Sequence, residues 1–110
     1  MESRNRHIFV YTEHDGTQPF VEWLNTLADM KGRATVRARI ARLEVGNFGD
    51  SRAVGGGIQE LRVHYGPGYR VYFALHGNSI VLLLGGGLKR TQKWDIESAK
   101  RRWADGKERL

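Results

Sequence analysis

Residues 58–90 of the chain read IQELRVHYGPGYRVYFALHGNSIVLLLGGGLKR, three β-prone segments separated by turn residues. Glycine tolerates positive φ and asparagine does so better than most residues, so the intervening Gly66-Pro67-Gly68 and Gly77-Asn78 predict turns. Consecutive strands joined by short turns form an antiparallel meander. The predicted strands are Ile58–Tyr65, Tyr69–His76 and Ser79–Leu84.

Positive charges lie within this meander and directly after it. Arg62 and Arg70 are on neighbouring strands near the turn that joins them, and Lys89 and Arg90 follow the third strand after Gly85–Gly87. Because side chains alternate between the two faces of a strand, we expect Arg62, Arg70 and Lys89 to converge on one concave face. Arginine offers a planar fork to phosphate oxygens, so such a cluster suits a phosphate-rich ligand. The alternative is an ordinary half-exposed sheet whose solvent face carries arginine.

Strand alternation also places Glu60, Arg62 and His64 on one strip of the first strand. Such a strip suits RNA cleavage without a metal ion. A base removes the 2′-hydroxyl proton, arginines stabilise charge on the phosphate, and an acid protonates the leaving 5′-oxygen. Glu60, His64 and Lys89 are the candidate proton carriers, and Arg62 and Arg70 are the candidate charge stabilisers. For Glu60, the alternative is a structural salt bridge near Arg62.

Length and charge narrow the class of protein. A chain of 110 residues, 40% of them hydrophobic, predicts one domain spanning residues 1–110. The 18 lysines and arginines exceed the 12 acidic residues, which leaves a net charge of +6. For a domain of this size, that charge favours a polyanion such as nucleic acid, or an acidic protein partner.

Several classes of function are disfavoured. No run approaches the roughly 18 apolar residues of a membrane span, and the N-terminal MESRNRHIFVYTEHDG lacks the apolar region and cleavage site of a signal peptide. The chain has no cysteine and no phosphate-binding loop motif, and its four histidines are not spaced as metal ligands. We therefore expect a cytoplasmic protein with no membrane association, no metal and no small-molecule cofactor.

The first half of the chain predicts a short strand and two helices. Ile8–Thr12 is β-prone and is expected at the edge or centre of the sheet. Pro19 starts a helix whose apolar face recurs with helical spacing, and Gly32 is expected to interrupt it. A second helix, Arg33–Val45, completes a helical hairpin across the sheet, and the glycine-rich Phe48–Gly57 is predicted to be a loop.

Basic residues also lie on the predicted helices. Arg37 and Arg42 fall outside the apolar face of the second helix, and Lys93 lies near the start of a basic C-terminal helix predicted over Thr91–Arg109. With Arg90, they are candidates for RNA phosphate contacts. A solvated helix face or an acidic partner is the alternative for the arginines of the second helix.

Four motifs, in this order, resemble those of the RelE/ParE toxin superfamily. The similarity is closer to its HigB-like branch, which includes "addiction module killer" and phage Gp49-like proteins. It covers about Ile8 to Trp103 and implies an α+β, RelE-like fold with a small antiparallel sheet, an N-terminal helical hairpin and a basic C-terminal helix. The motifs are ELR at 60–62, GYRVYF at 68–73, LLLGGGLK at 82–89 and TQKWDIESAKRRW at 91–103.

The resemblance implies a toxin that cleaves mRNA on the translating ribosome and is neutralised by a helix-turn-helix antitoxin. By position, the arginine of the family's GYR motif matches Arg70, which is the first candidate for the site that the resemblance implies. Arg62 and the pair Lys89 and Arg90 are the next candidates. Family nucleases often carry a tyrosine or histidine acid after the last strand. Residues 91–96 contain neither, so this role would fall to Lys93 or His64.

Two other functions stay open from the sequence. ParE-like members share the fold but inhibit DNA gyrase, and fold similarity does not determine the target. A non-catalytic nucleic-acid-binding phage accessory protein is also compatible with the basic composition. Gyrase inhibition predicts DNA-damage signalling with intact transcripts, whereas a binding module predicts salt-sensitive binding without growth arrest.

Overall fold

A five-stranded sheet with helices on both faces forms the body of the protein in a computed structural model that describes residues 5–110. The first four residues, which belong to the expected domain and to the stretch without signal-peptide features, lie outside the described residues. The elements in chain order are β1 (His7–Val10), α1 (Pro19–Thr26), α2 (Met30–Glu44), β2 (Ser51–Gly55), β3 (Ile58–Val63), β4 (Tyr69–His76), β5 (Ile80–Gly87) and α3 (Gln92–Gly106).

The strand order is β1-β5-β4-β3-β2, which confirms the predicted meander of β3, β4 and β5. Neighbouring strands from β2 to β5 pair in antiparallel fashion, whereas β1 pairs with β5 in parallel. The α+β class is confirmed, and the sheet is mixed rather than wholly antiparallel. The first strand lies at an edge, one of the two positions that the sequence left open.

Two predictions about the sheet were wrong. The segment expected to be a loop, Phe48–Gly57, contains the edge strand β2, which turns back onto β3 through the glycines at its end. Because an edge strand can be short and needs no continuous apolar face, its SRAVG sequence carried no clear strand signal. The third meander strand extends through Gly87 instead of ending at Leu84, since its glycines remain paired with β4.

The break between the first two helices lies before Gly32, not at it. Asp29 caps α2 by accepting a hydrogen bond from the backbone N–H of Lys31. Gly32 is buried in the first turn of α2, and a Cβ there would lie 2.8 Å from the Tyr69 hydroxyl oxygen. The glycine therefore permits close helix–sheet packing, and the aspartate marks the boundary.

Alternate residues of the sheet pack into two separate hydrophobic cores, one on each face. One face packs against α1 and α2 and is apolar along its length. The other face packs against α3 through a smaller cluster that includes Ile58, Tyr72, Leu84 and Ala99. Within residues 5–110, no helix is long and apolar enough to cross a membrane.

Candidate active site

A shallow cleft opens where β3, β4 and the segment after β5 meet. Arg62 and Arg70 are directly opposite each other across the β3–β4 pair, and Gly87 of β5 lies opposite Arg70. The cleft has a volume of about 190 Å³. Its lining includes four of the five residues predicted to be catalytic: Arg62, His64, Arg70 and Lys89.

The fifth predicted residue, Glu60, does not line the cleft but contacts both of its arginines. Its side chain is fully buried. The Oε1 atom accepts a hydrogen bond from Nε of Arg52 at 3.2 Å and lies 3.9 Å from Nε of Arg62. The Oε2 atom lies 3.5 Å from Nε of Arg70. The structural ion pair that was the alternative for Glu60 is therefore present, with three arginines sharing one carboxylate.

Two neutral groups complete the surroundings of Glu60. Tyr72 donates its hydroxyl hydrogen to Oε2 at 3.1 Å, and Gln92, at the start of α3, donates from Nε2 to the same oxygen at 2.8 Å. Burial, together with the neighbouring carboxylate, raises the pKa of Tyr72, so its phenol stays a donor. A buried carboxylate needs such partners because losing water without replacement hydrogen bonds is costly.

The side chains of Arg62 and Arg70 contact Glu60 but remain partly exposed. Like charges directly opposite each other on paired strands are destabilising, and here the carboxylate of Glu60 beneath them offsets the repulsion. Their side chains are 34% and 13% exposed. Among the described residues, the buried Nε atoms of both arginines lack a hydrogen-bond partner. The pair is thus held on rigid strands with its side chains partly exposed at the cleft.

The imidazole of His64 lies at the rim of the cleft and is held by Asp50. Its Nε2 atom contacts Oδ2 of Asp50, in the turn before β2. This hydrogen bond, helped by the nearby charge of Arg62, holds the pKa of the Asp50 carboxyl below its usual value. The carboxylate therefore fixes the orientation of the ring. The side chain of His64 is 69% exposed, so a ligand in the cleft can reach the ring.

The remaining predicted contacts are distributed around the cleft. Lys89 and Arg90 lie in a single 3₁₀ turn between β5 and α3, and Lys93 is in the first turn of α3; all three are exposed. Only Lys89 lines the cleft itself. Arg37 and Arg42 are exposed on α2, which packs against the opposite face of the sheet, so the structure does not bring them to the cleft.

Four residues of this site were not identified from the sequence. Asp50 and Arg52 belong to the segment predicted as a loop, and Arg52 reaches Glu60 only because β2 pairs with β3 in that register. Tyr72 and Gln92 meet the carboxylate across the sheet and from α3. The alternation of β4 does place Tyr72 on the face of Arg70, a signal that was available.

The balance of charge at the cleft favours an anionic ligand. Arg62, Arg70 and Lys89 oppose two carboxylates, those of Glu60 and Asp50, before any charge on His64 is counted. Phosphate is well suited to such a site because it accepts several charge-assisted hydrogen bonds at once. Within residues 5–110, no group of three or more histidine and acidic side chains is arranged to hold a metal ion.

Most of the chain is similar to known proteins. The model of the family described as "Phage derived protein Gp49-like (DUF891)" matches residues 22–104. An uncharacterized protein of Haemophilus influenzae is 48% identical over 84 residues, which cover 76% of this chain and 85% of the relative. The matched residues 22–104 include the whole cleft together with Asp50 and Glu60.

Proposed function

We propose that this chain, which belongs to the Gp49-like family of phage-derived proteins, is the toxin of a type II toxin–antitoxin module. Membership in this toxin-like family is consistent with such a module and implies an antitoxin partner in general. Our specific proposal is a metal-independent endoribonuclease that cuts translated mRNA at the ribosome in the cytoplasm. A helix-turn-helix antitoxin neutralises it, as the resemblance to HigB-like toxins implies.

The observation that carries this proposal is the convergence of Arg62, His64, Arg70 and Lys89 on one cleft. These groups come from three separate segments and supply both charge stabilisation and proton transfer. An RNA phosphodiester accepts hydrogen bonds from the two guanidinium groups, which offset the charge that grows on the phosphoryl oxygens in the transition state. Arginine on rigid strands is suited to this because little reorganisation is needed.

Cleavage in this site requires two proton transfers. One group removes the proton from the ribose 2′-hydroxyl, whose oxygen then attacks the adjacent phosphorus. The bond from phosphorus to the 5′-oxygen breaks, and a second group protonates that oxygen. The products are a 2′,3′-cyclic phosphate and a free 5′-hydroxyl. His64 and Lys89 are our candidates for the two proton carriers, and the contact with Asp50 orients the ring of His64.

We assign Glu60 to positioning rather than to proton transfer. Its carboxylate has no exposed surface and interacts with three arginines, a tyrosine and a glutamine. A proton carrier must reach the substrate within hydrogen-bond distance. Glu60 instead holds Arg62 and Arg70 side by side so that one phosphate can contact both.

The experiment that tests this function maps mRNA 5′ ends in cells shortly after the chain is induced without an antitoxin. We expect new cuts within translated transcripts. Arg70→Ala should reduce cutting by about 10²- to 10³-fold, the usual loss when a charge-stabilising donor is removed. Arg101→Ala is the matched control, because it removes an arginine at the far part of α3 whose side chain is 61% exposed and pairs only weakly with Glu13.

Other results would contradict the proposal. Growth arrest with intact transcripts and DNA-damage signalling would favour gyrase inhibition. RNA binding without arrest would favour a non-catalytic module. Equal cutting by the wild-type chain and Arg70→Ala would remove the cleft from the mechanism. A circular dichroism spectrum and melting temperature like those of the wild type would show that Arg70→Ala is folded.

A further inference from the structure

A second groove lies beside the cleft, where one edge of β5 has no partner strand. The ladder between β1 and β5 ends at Leu83, so Gly85–Gly87 border the groove between α1 and α3. Its volume is about 450 Å³, within the range of about 300–1,000 Å³ typical of ligand pockets. It is larger than the cleft, and the proposed reaction does not use it.

The glycines shape this groove by letting side chains approach the strand closely. A Cβ at Gly86 would collide with the ring of Trp23, and one at Gly87 would collide with Asp95. A Cβ at Gly85 would lie 2.7 Å from Nη1 of Arg102. The run of three glycines therefore allows an indole, a carboxylate and a guanidinium to line one concavity.

An exposed tryptophan forms one wall. Trp94, in the first turn of α3, is 70% exposed, an unusual state for so large an apolar side chain. Arg90 lines the same groove, whereas Lys93 does not. An exposed indole beside cations is the combination that single-stranded nucleic-acid sites use, because bases stack on aromatic rings while cations meet phosphates.

The interior of the groove offers both a donor and an acceptor. Asp95 accepts a hydrogen bond from the Thr91 hydroxyl at 2.6 Å, and Arg102 donates from Nη1 to the backbone oxygen of Leu84 at 2.9 Å. Both groups are half-buried, and this burial raises the pKa of Asp95 and lowers that of Arg102. Hydrogen bonds are stronger in such surroundings, and the edge of a nucleobase carries donors and acceptors together.

We infer that this groove binds a nucleobase of single-stranded RNA, stacked on Trp94 and hydrogen-bonded by Asp95 and Arg102. The choice of RNA rests on the proposed function of the cleft. Leu88 lines the groove and Lys89 lines the cleft, so consecutive residues separate the two sites. An RNA strand that passes over Leu88 and Lys89 places a phosphate in the cleft and a neighbouring base in the groove.

The test compares two oligomers of equal charge. One is a fluorescein-labelled 2′-O-methyl RNA, which binds but lacks the 2′-hydroxyl needed for cleavage, and the other is an abasic oligomer of the same length. We expect Trp94→Ala to weaken binding of the first by about 5- to 100-fold, the usual effect of losing one base–aromatic stack, and to leave the second unchanged. Trp94→Phe should retain most of the affinity. Phe9→Ala, which removes a 50% exposed aromatic side chain on β1, is the matched control and should change neither.

Parallel cleavage of translated mRNA separates this inference from the proposed function. If the wild-type chain cleaves mRNA but Trp94→Ala binds both oligomers like the wild type, the groove proposal is overturned and the nuclease stands. If base-dependent binding is lost in Trp94→Ala but no chain cleaves mRNA, the groove stands and the nuclease proposal fails. Failure of the wild-type chain to prefer the base-containing oligomer would overturn the groove proposal. So would unchanged RNA binding with loss of antitoxin binding, because the groove would then take a protein.

Discussion

The two faces of the sheet are formed by the same strands, but one face packs the larger apolar core and the other carries the candidate active site. Towards α1 and α2, β3 and β4 present Leu61, Val63, Val71 and Phe73, all of them buried. Towards α3, the same strands present Glu60, Arg62 and Arg70 near the β3–β4 turn, and an apolar cluster only further along. Because strand residues alternate between the faces, one stretch of sequence supplies a continuous core and a charged site back to back.

The comparison shows how a small basic domain holds like charges together. The apolar face stabilises the strands, so the opposite face can carry two arginines across from each other. Glu60 then offsets their repulsion locally, at the cost of burying a carboxylate. We therefore expect changes on the first face to alter stability, and most changes on the second to alter activity.

The largest effect should follow a change in the apolar face. Phe73 is fully buried and stacks on Phe48 with ring centroids 6.2 Å apart. Phe73→Ala should lower the free energy of unfolding by about 3–5 kcal/mol, because it removes buried area and leaves a cavity. Urea denaturation measures this. A loss below about 1 kcal/mol would show that the first face is not the main source of stability.

Glu60→Gln should be the exception on the charged face. It keeps the shape of the side chain but leaves Arg52, Arg62 and Arg70 without their shared counter-charge. We expect a loss of about 3 kcal/mol in the free energy of unfolding, as when one partner of a buried ion pair is removed. Glu108→Gln, an exposed change near the C-terminus, is the control. Equal stability of the two variants would mean that the arginines do not need the carboxylate.

Asp50→Asn should affect activity more than stability. The wild-type carboxylate orients His64, and a hydrogen bond to a charged group contributes on the order of 1.5 kcal/mol, so cleavage should fall by about tenfold. Asp50→Glu should restore part of the rate. An unchanged rate of cleavage would show that the contact between Asp50 and His64 does not contribute to activity.

The smallest effect concerns the contact between α3 and Tyr11, the residue that follows β1. The hydroxyl of Tyr11 donates to Oδ2 of Asp105 at 2.7 Å. This bond, together with those from His14 and Arg109, lowers the pKa of Asp105 from 3.8 to about 2, whereas burial and the bond to Asp105 help raise the pKa of Tyr11 from 10.0 to about 12. The contribution of Asp105 is thus complete above pH 3.8 and is lost as the pH falls towards 2. That of Tyr11 is complete below pH 10 and is lost as the pH rises towards 12.

Free energies of unfolding measured across this pH range would check the contact. Tyr11→Phe should flatten the alkaline decline, and Asp105→Asn should flatten the acid one. If both variants follow the wild-type curve, the contact does not contribute to stability. Activity near neutral pH should be unchanged, since the contact is remote from the cleft.

Much of the charged site was predictable because it depends on local alternation. The β3–β4 turn and the period of two along each strand were enough to place Arg62, Arg70 and His64 on one face. The contribution of Asp50 was not predictable, since it reaches His64 only after the edge strand β2 has paired. The role of these residues in catalysis stays a prediction that the experiments above test.

The sequence by itself determined the meander, the α1 start at Pro19, the basic character and the strip of polar side chains, because these follow from short-range spacing and turn chemistry. Only the tertiary structure decided that Glu60 is buried beneath three arginines, that β1 runs parallel to β5, and that Gly85–Gly87 form a strand edge beside a groove. Those features depend on contacts between residues far apart in the chain. No local pattern encodes such contacts, since burial and pairing are set by what packs against each strand.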